Sequence, residues 1–204
     1  MNIWLYVIVL IPSIVLHEVS HGYVAYLFGD PTAKEQHRLT LNPLRHVDLF
    51  GTILMPAMLL FSGLPPFGYA KPVPVNVSRL RRPRQQALWV SLAGPAVNIV
   101  LSAFGYGICE YAIHVSQSQF QLNLGEAIGL VNLILAAFNL LPIPPLDGSA
   151  IIERFIPTRA LPRYYHYRAR ALPFFFVFII VDFTFLHIGT NLLPNLENWW
   201  LSRL

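Results

Sequence analysis

Residues 17–21 read His-Glu-Val-Ser-His, inside the apolar stretch "IVLHEVSHGYVAYLFGD" (14–30). His17 and His21 stand at i and i+4, so on a helix they share one face. Two imidazoles one turn apart can both reach one zinc ion at ~2.0–2.1 Å. Glu18 lies beside them and can serve as general base toward a zinc-bound water. Ionisable groups inside a hydrophobic span are costly and mark function by default. The competing reading is three polar side chains turned toward a bundle interior for structure alone.

A catalytic zinc takes three protein ligands and keeps one open position. The candidate for the third is Asp147, in "FNLLPIPPLDGSA" (138–150). Pro142, Pro144 and Pro145 break the helix there. Irregular backbone at membrane depth is tolerated only when buried in protein or facing a water-filled cavity. Asp-Gly is also an ordinary turn pair, so residue types alone leave both readings open. His37, His46, His114 and His166 fall in loops or at segment ends and are expected at the surface. His46 and Asp48 precede an apolar run and could reach a site, but are not chosen as ligands. Asp182, inside the last apolar run, calls for a partner or a polar cavity. The single cysteine, Cys109, excludes an internal disulfide framework and an all-cysteine metal cluster. It is expected to be a small packing residue.

The chain that must position these groups has 204 residues, 55% of them hydrophobic and 12% charged. Soluble domains are nearer ~25% charged, and the mean hydropathy here is +0.52. The bilayer is the expected solvent. Four segments, roughly 3–28, 86–113, 124–142 and 171–190, are long enough to cross ~30 Å of hydrocarbon. A fifth run, "LFGTILMPAMLLF" (49–61), is short and contains Pro56. The N-terminal "MNIWLYVIVLIPSIVL" has neither the basic region nor the cleavage site of a signal peptide and reads as a retained span. The expected fold is an all-α, polytopic membrane bundle of about four full spans. A short re-entrant or fifth membrane segment, with extended or β elements, lies between the first two. One domain is expected, 1–204, with a core at about 3–150 and a C-terminal span and tail at 151–204.

The net charge is +4, with pI about 9.4. The basic residues are scattered through the segments between apolar runs, which suits topology rather than nucleic-acid binding. Lys34, Arg38 and Arg45 lie in 29–49, and Lys71, Arg79, Arg81, Arg82 and Arg84 in 63–86. Arg154, Arg159, Arg163, Arg168 and Arg170 lie in 149–170. The positive-inside rule puts all three segments in the cytosol, which requires 49–61 to enter and leave on one side. His21 is then about 10 Å inside the cytosolic face, and Asp147 ends a span at that face. The arginines of 154–170 read as an anchor on anionic lipid, and Trp199 and Trp200 as an interfacial belt.

"HEVSH" in the first span, "AGPAVN" (93–98) in the second and "NLLPIPPLDG" (139–148) in the third resemble the site-2 protease family of intramembrane zinc metalloproteases. Asn139, Pro142, Pro144, Leu146, Asp147 and Gly148 match the family's N-x-x-P-x-P-x-L-D-G motif without gaps. "LNPLRHVDLFGTILMP" and "GYAKPVPVN" look like its prokaryotic members. The resemblance runs from about residue 10 to 150 and is of the minimal type, with no inserted PDZ domain. It implies one Zn2+ per chain on His17, His21 and Asp147, with Glu18 activating the zinc-bound water. It implies that Asn139 donates to the developing oxyanion, the alternative being an interhelical hydrogen bond. Asn98 reads as packing glue between spans.

The implied function is hydrolysis of a peptide bond in or near the transmembrane segment of a membrane protein, as in regulated intramembrane proteolysis. The expected substrate is a single-pass transmembrane protein, for instance a membrane-tethered transcription regulator. The site is expected within the cell membrane toward the cytosol. A strand edge in "GYAKPVPVN" or in 32–41 could capture unwound substrate by β-augmentation. Two other classes compete. A non-catalytic binder of transmembrane segments has no need of Glu18. A transporter using intramembrane His and Asp often shows paired repeats with broken helices, and none is evident.

Overall fold

The computed structural model of the chain describes residues 3–63, 68–182 and 188–203. Among these residues the regular structure is helical. The elements are α1 (Ile3–Leu27), α2 (Thr32–Glu35), α3 (Met55–Phe61), α4 (Pro83–Tyr111), α5 (Gln119–Asn139), α6 (Ser149–Phe155), α7 (Leu161–Ala169), α8 (Ala171–Val181) and α9 (Ile188–Leu201). Three helical runs, Trp4–Leu27, Pro83–Ser116 and Gln119–Asn139, are long and apolar enough to cross a membrane. The second ends where Gln117 turns left-handed at φ 50°. Ser118 then opens α5 by accepting from the Gln121 N–H, a side-chain cap of the usual kind.

The other two expected membrane segments are shorter. A π-helical turn, Leu49–Leu54, merges into α3. The run Leu49–Phe61 extends about 20 Å at helical rise, short of the ~30 Å hydrocarbon core. Its start is pinned by Asp48, whose carboxylate accepts from the Gly51 N–H at 2.7 Å. The expected span 171–190 falls on α8, whose 11 residues are too few to cross, and on the first residues of α9; its residues 183–187 lie outside the described ones.

The β elements expected between the first two spans are not strands among the described residues. Residues 32–35 are helical. Residues 68–76 carry neither helix nor ladder, because Pro72 and Pro74 have no N–H to donate. This stretch bonds instead to turns and side chains. The Lys71 N–H donates to the His46 carbonyl at 2.8 Å and the Asn76 N–H to the buried Asp30 carboxylate at 2.6 Å.

The chain divides into two compact units, residues 14–94 and residues 1–13 with 95–204. In the first, Ala25, Leu80 and Val90 form a buried cluster. In the second, Val9 packs with Ala127 and Val131, and Cys109 with Leu130 and Trp200. Cys109 is thus a packing residue. Trp200 departs from the expected interfacial belt, being 5% exposed, while Trp199 is exposed. Indole area is a large apolar payload, and α9 turns this one into the cluster. Polar glue joins the same unit. The Asn98 amide donates to Asn132 Oδ1 at 2.7 Å, and Asn132 Nδ2 donates to Ser13 Oγ at 3.0 Å. Asn98 and Asn132 are fully buried. Asn132→Leu removes both bonds and should cost about 1–3 kcal/mol, read by thermal denaturation in detergent. An unchanged melting temperature would contradict the network's role.

Candidate metal centre

His17 and His21 lie in α1, 6% and 9% exposed, on the shared face their spacing requires. Their rings meet edge to face, with centroids 4.7 Å apart. The two Nε2 atoms face each other at 3.1 Å. Two ligands of a tetrahedral zinc at ~2.0–2.1 Å stand about 3.3 Å apart, so the pair is spaced for one ion. His21 Nδ1 sits 2.6 Å from the Val90 carbonyl. A carbonyl only accepts, so Nδ1 carries the proton and Nε2 keeps its lone pair for a metal. The backbone of α4 makes room for the pair at Gly94. A Cβ there would lie 2.4 Å from His21 Nε2 and 2.5 Å from His17 Nε2.

Glu18, the next residue along α1, is held by the irregular segment 68–76. Its Oε2 accepts from the Val73 N–H at 2.9 Å. Val73 is 6% exposed, and the two carbonyls before it are bound by Arg38 Nη2, Lys71 O at 2.8 Å and Pro72 O at 3.3 Å.

Asp147 stands in the loop between α5 and α6. The Gly148 N–H closes that loop onto the Asn139 carbonyl at 2.6 Å. A Cβ on Gly148 would fall 2.2 Å from the Leu140 carbonyl oxygen, so only glycine permits the closure. Asn139 Nδ2 donates one hydrogen to the Leu135 carbonyl of its own helix at 2.9 Å, and an amide has two to give. Downstream, α7 clamps α6. Arg168 bonds the buried Glu153 at 3.0 Å, and the Tyr165 hydroxyl donates to the same carboxylate. Burial, reinforced by that bond, pushes the Tyr165 hydroxyl up to about 12, so it stays a donor at neutral pH.

His17 and His21 offer two imidazole ligand atoms to one ion, and the Asp147 carboxylate is the further donor that its motif supplies. Two imidazoles and a carboxylate form a donor set of the kind that binds catalytic zinc, so these residues fit the metal. His37, His114 and His166 are exposed, as expected; His46 is not. His46 is 3% exposed, with Nε2 2.9 Å from the Thr40 carbonyl, where it stabilises the turn that receives Lys71. Asp182 is buried at the end of α8. Val90, Gly94, Val73 and Arg38 have no signal in the sequence beyond the small-residue "AGP" and the paired prolines.

The chain matches the model of peptidase family M50 over residues 5–123 and 108–181. It is 45% identical over 158 residues to the candidate zinc metalloprotease YwhC of Bacillus subtilis, covering 74% of this chain and 68% of that protein. It is 30% identical over 141 residues to the candidate zinc metalloprotease Rip2 of Mycolicibacterium smegmatis, covering 69% of this chain and 53% of that protein. The zinc metalloprotease MJ0392 of Methanocaldococcus jannaschii is 27% identical over 154 residues, 73% of this chain and 33% of that protein. The chain thus spans about half of Rip2 and a third of MJ0392. No solved structure matches. A matching family model, a His-Glu-x-x-His helix and long apolar helices point one way: this multi-pass membrane chain belongs to peptidase family M50, the zinc metalloendopeptidases of the site-2 protease type.

Proposed function

We propose that the chain hydrolyses a peptide bond in or near the transmembrane segment of a membrane-protein substrate, with zinc held by His17, His21 and Asp147. The observation that carries this reading is the pair of facing imidazole nitrogens of His17 and His21 beside a glutamate in an apolar helix. Zinc bound there supplies Lewis acidity, which polarises a carbonyl and acidifies water. Glu18, anchored through one oxygen, has the other to take the proton of the attacking water. It returns that proton to the leaving amide nitrogen as the bond breaks. The second N–H of the Asn139 carboxamide is the group we assign to the developing negative charge on the scissile oxygen. The low dielectric around buried His17 and His21 strengthens each of these interactions.

The substrate class we favour is a single-pass transmembrane protein, such as a membrane-tethered transcription regulator cut in regulated intramembrane proteolysis. The basic residues of 29–49, 63–86 and 149–170 favour a site on the cytosolic side of the membrane. Metal removal tests the reading. Purified protein in lipid nanodiscs should cut a model single-span substrate. Cleavage should fall at least ~100-fold after stripping with a chelator, the scale expected when a zinc nucleophile is lost, and return with equimolar zinc. Cleavage that survives complete zinc removal would contradict it.

A further inference from the structure

We infer that Arg38 is a positioning residue for Glu18, acting through the segment 71–73. This rests on the proposed role of Glu18 as general base. The chain of contacts is short. The Arg38 guanidinium, 9% exposed, donates from Nη2 to the Lys71 and Pro72 carbonyls at 2.8 and 3.3 Å. The next N–H along, Val73, donates to Glu18 Oε2 at 2.9 Å. The other side of the segment is tied by the Lys71 N–H on the His46 carbonyl at 2.8 Å. His46 is itself buried, against the Thr40 carbonyl at 2.9 Å.

Each link answers a physical need. A glutamate has three side-chain torsions, and freezing them costs conformational entropy. An N–H to carboxylate bond is charge-assisted and stronger than a neutral one, so Val73 can supply that ordering. The segment cannot hold itself by pairing, because Pro72 and Pro74 have no N–H. Its carbonyls need donors when buried, and a guanidinium offers five in a fixed fork. One cation therefore satisfies two successive carbonyls and fixes the direction of the N–H that follows. Arg38 never touches the carboxylate, yet sets where it points.

Two variant pairs test this, read as kcat, KM and bound zinc in nanodiscs against a single-span substrate. Arg38→Ala should lower kcat about 10- to 100-fold, as loss of an outer-sphere orienting partner does. KM and zinc stoichiometry should stay at the wild-type level, and Arg38→Lys should restore part of kcat. Should Arg38→Ala not fold, Val73→Pro against Val73→Ala replaces it. Both lose the valine packing, and only the first loses the N–H, so kcat should be about tenfold lower in Val73→Pro. Wild-type kcat in Arg38→Ala, zinc lost in step with activity, or equal kcat in the two Val73 variants would each overturn the inference. Glu18→Gln run alongside separates it from the underlying reading. If that variant is as active as wild type, the general-base assignment fails rather than the Arg38 link.

Discussion

Glu18→Gln should lose about two to four orders of magnitude in kcat while binding zinc as the wild type does. Positioned general acid–base groups contribute roughly 10²–10⁴-fold, and each tenfold step is about 1.36 kcal/mol of barrier. The substitution is clean because the carboxamide keeps the shape of the carboxylate and retains an oxygen to accept the Val73 N–H, now 2.9 Å from Glu18 Oε2. The segment 71–73 should therefore stay docked. The His17 and His21 rings depend on their mutual packing and on the Val90 carbonyl, neither of which the change touches. The change removes the ability to take a proton and leaves the Val73 bond as a neutral one. The measurement is single-turnover cleavage of a labelled single-span substrate, with zinc counted on the same sample. Retained cleavage would show that the proton is taken elsewhere.

Gly94→Ala should weaken zinc binding sharply, with a cost to fold stability of about 1–3 kcal/mol from the same steric overlap. The added Cβ would sit 2.4 and 2.5 Å from the two Nε2 atoms, far inside van der Waals contact and where a metal's ligand atoms must stay open. The rings cannot retreat together. His21 is pinned through Nδ1 to Val90, one helical turn before Gly94 on the same helix. Alanine is the better helix former by about 1 kcal/mol, so α4 itself does not suffer by propensity. Loss of metal is then separable from unfolding. Zinc affinity should drop at least ~100-fold, beyond the ~10–100-fold typical of outer-sphere changes, because the ligand atoms themselves are displaced. The test is titration of the stripped protein with zinc, alongside thermal denaturation. Wild-type affinity in this variant would mean that the His pair binds metal in another arrangement.

What the sequence made legible was local or carried by motif. A His-x-x-x-His spacing on an apolar helix leaves one outcome for the two rings, and the structure shows it. Asp147 was visible as an acid in a Pro-rich break, and its motif gave it a partner far along the chain. The long apolar helices were visible from composition, though apolar residues facing lipid and apolar residues facing protein look alike. That ambiguity is why Trp200 was expected at an interface and is buried instead. The segment between α3 and α4 was the least legible. Alternating apolar and proline residues suggested strand, but with donors removed at Pro72 and Pro74 the segment turns to Arg38, His46 and Glu18 for its bonds. No periodicity announces contacts of that kind. His46 was expected at the surface for the same reason: its ring lies against the nearby Thr40 carbonyl, but its own carbonyl is bound by the Lys71 N–H, far along the chain.

The most direct test of the central claim is the zinc K-edge X-ray absorption spectrum of the purified, membrane-reconstituted protein at one metal per chain. The ligand set His17, His21 and Asp147 predicts about two imidazoles with the remaining neighbours oxygen, at ~2.0–2.2 Å and with no sulfur. His21→Ala and Asp147→Ala should each remove the matching imidazole or carboxylate signal or the metal itself. A sulfur neighbour at ~2.3 Å, or a spectrum unchanged in either variant, would contradict it.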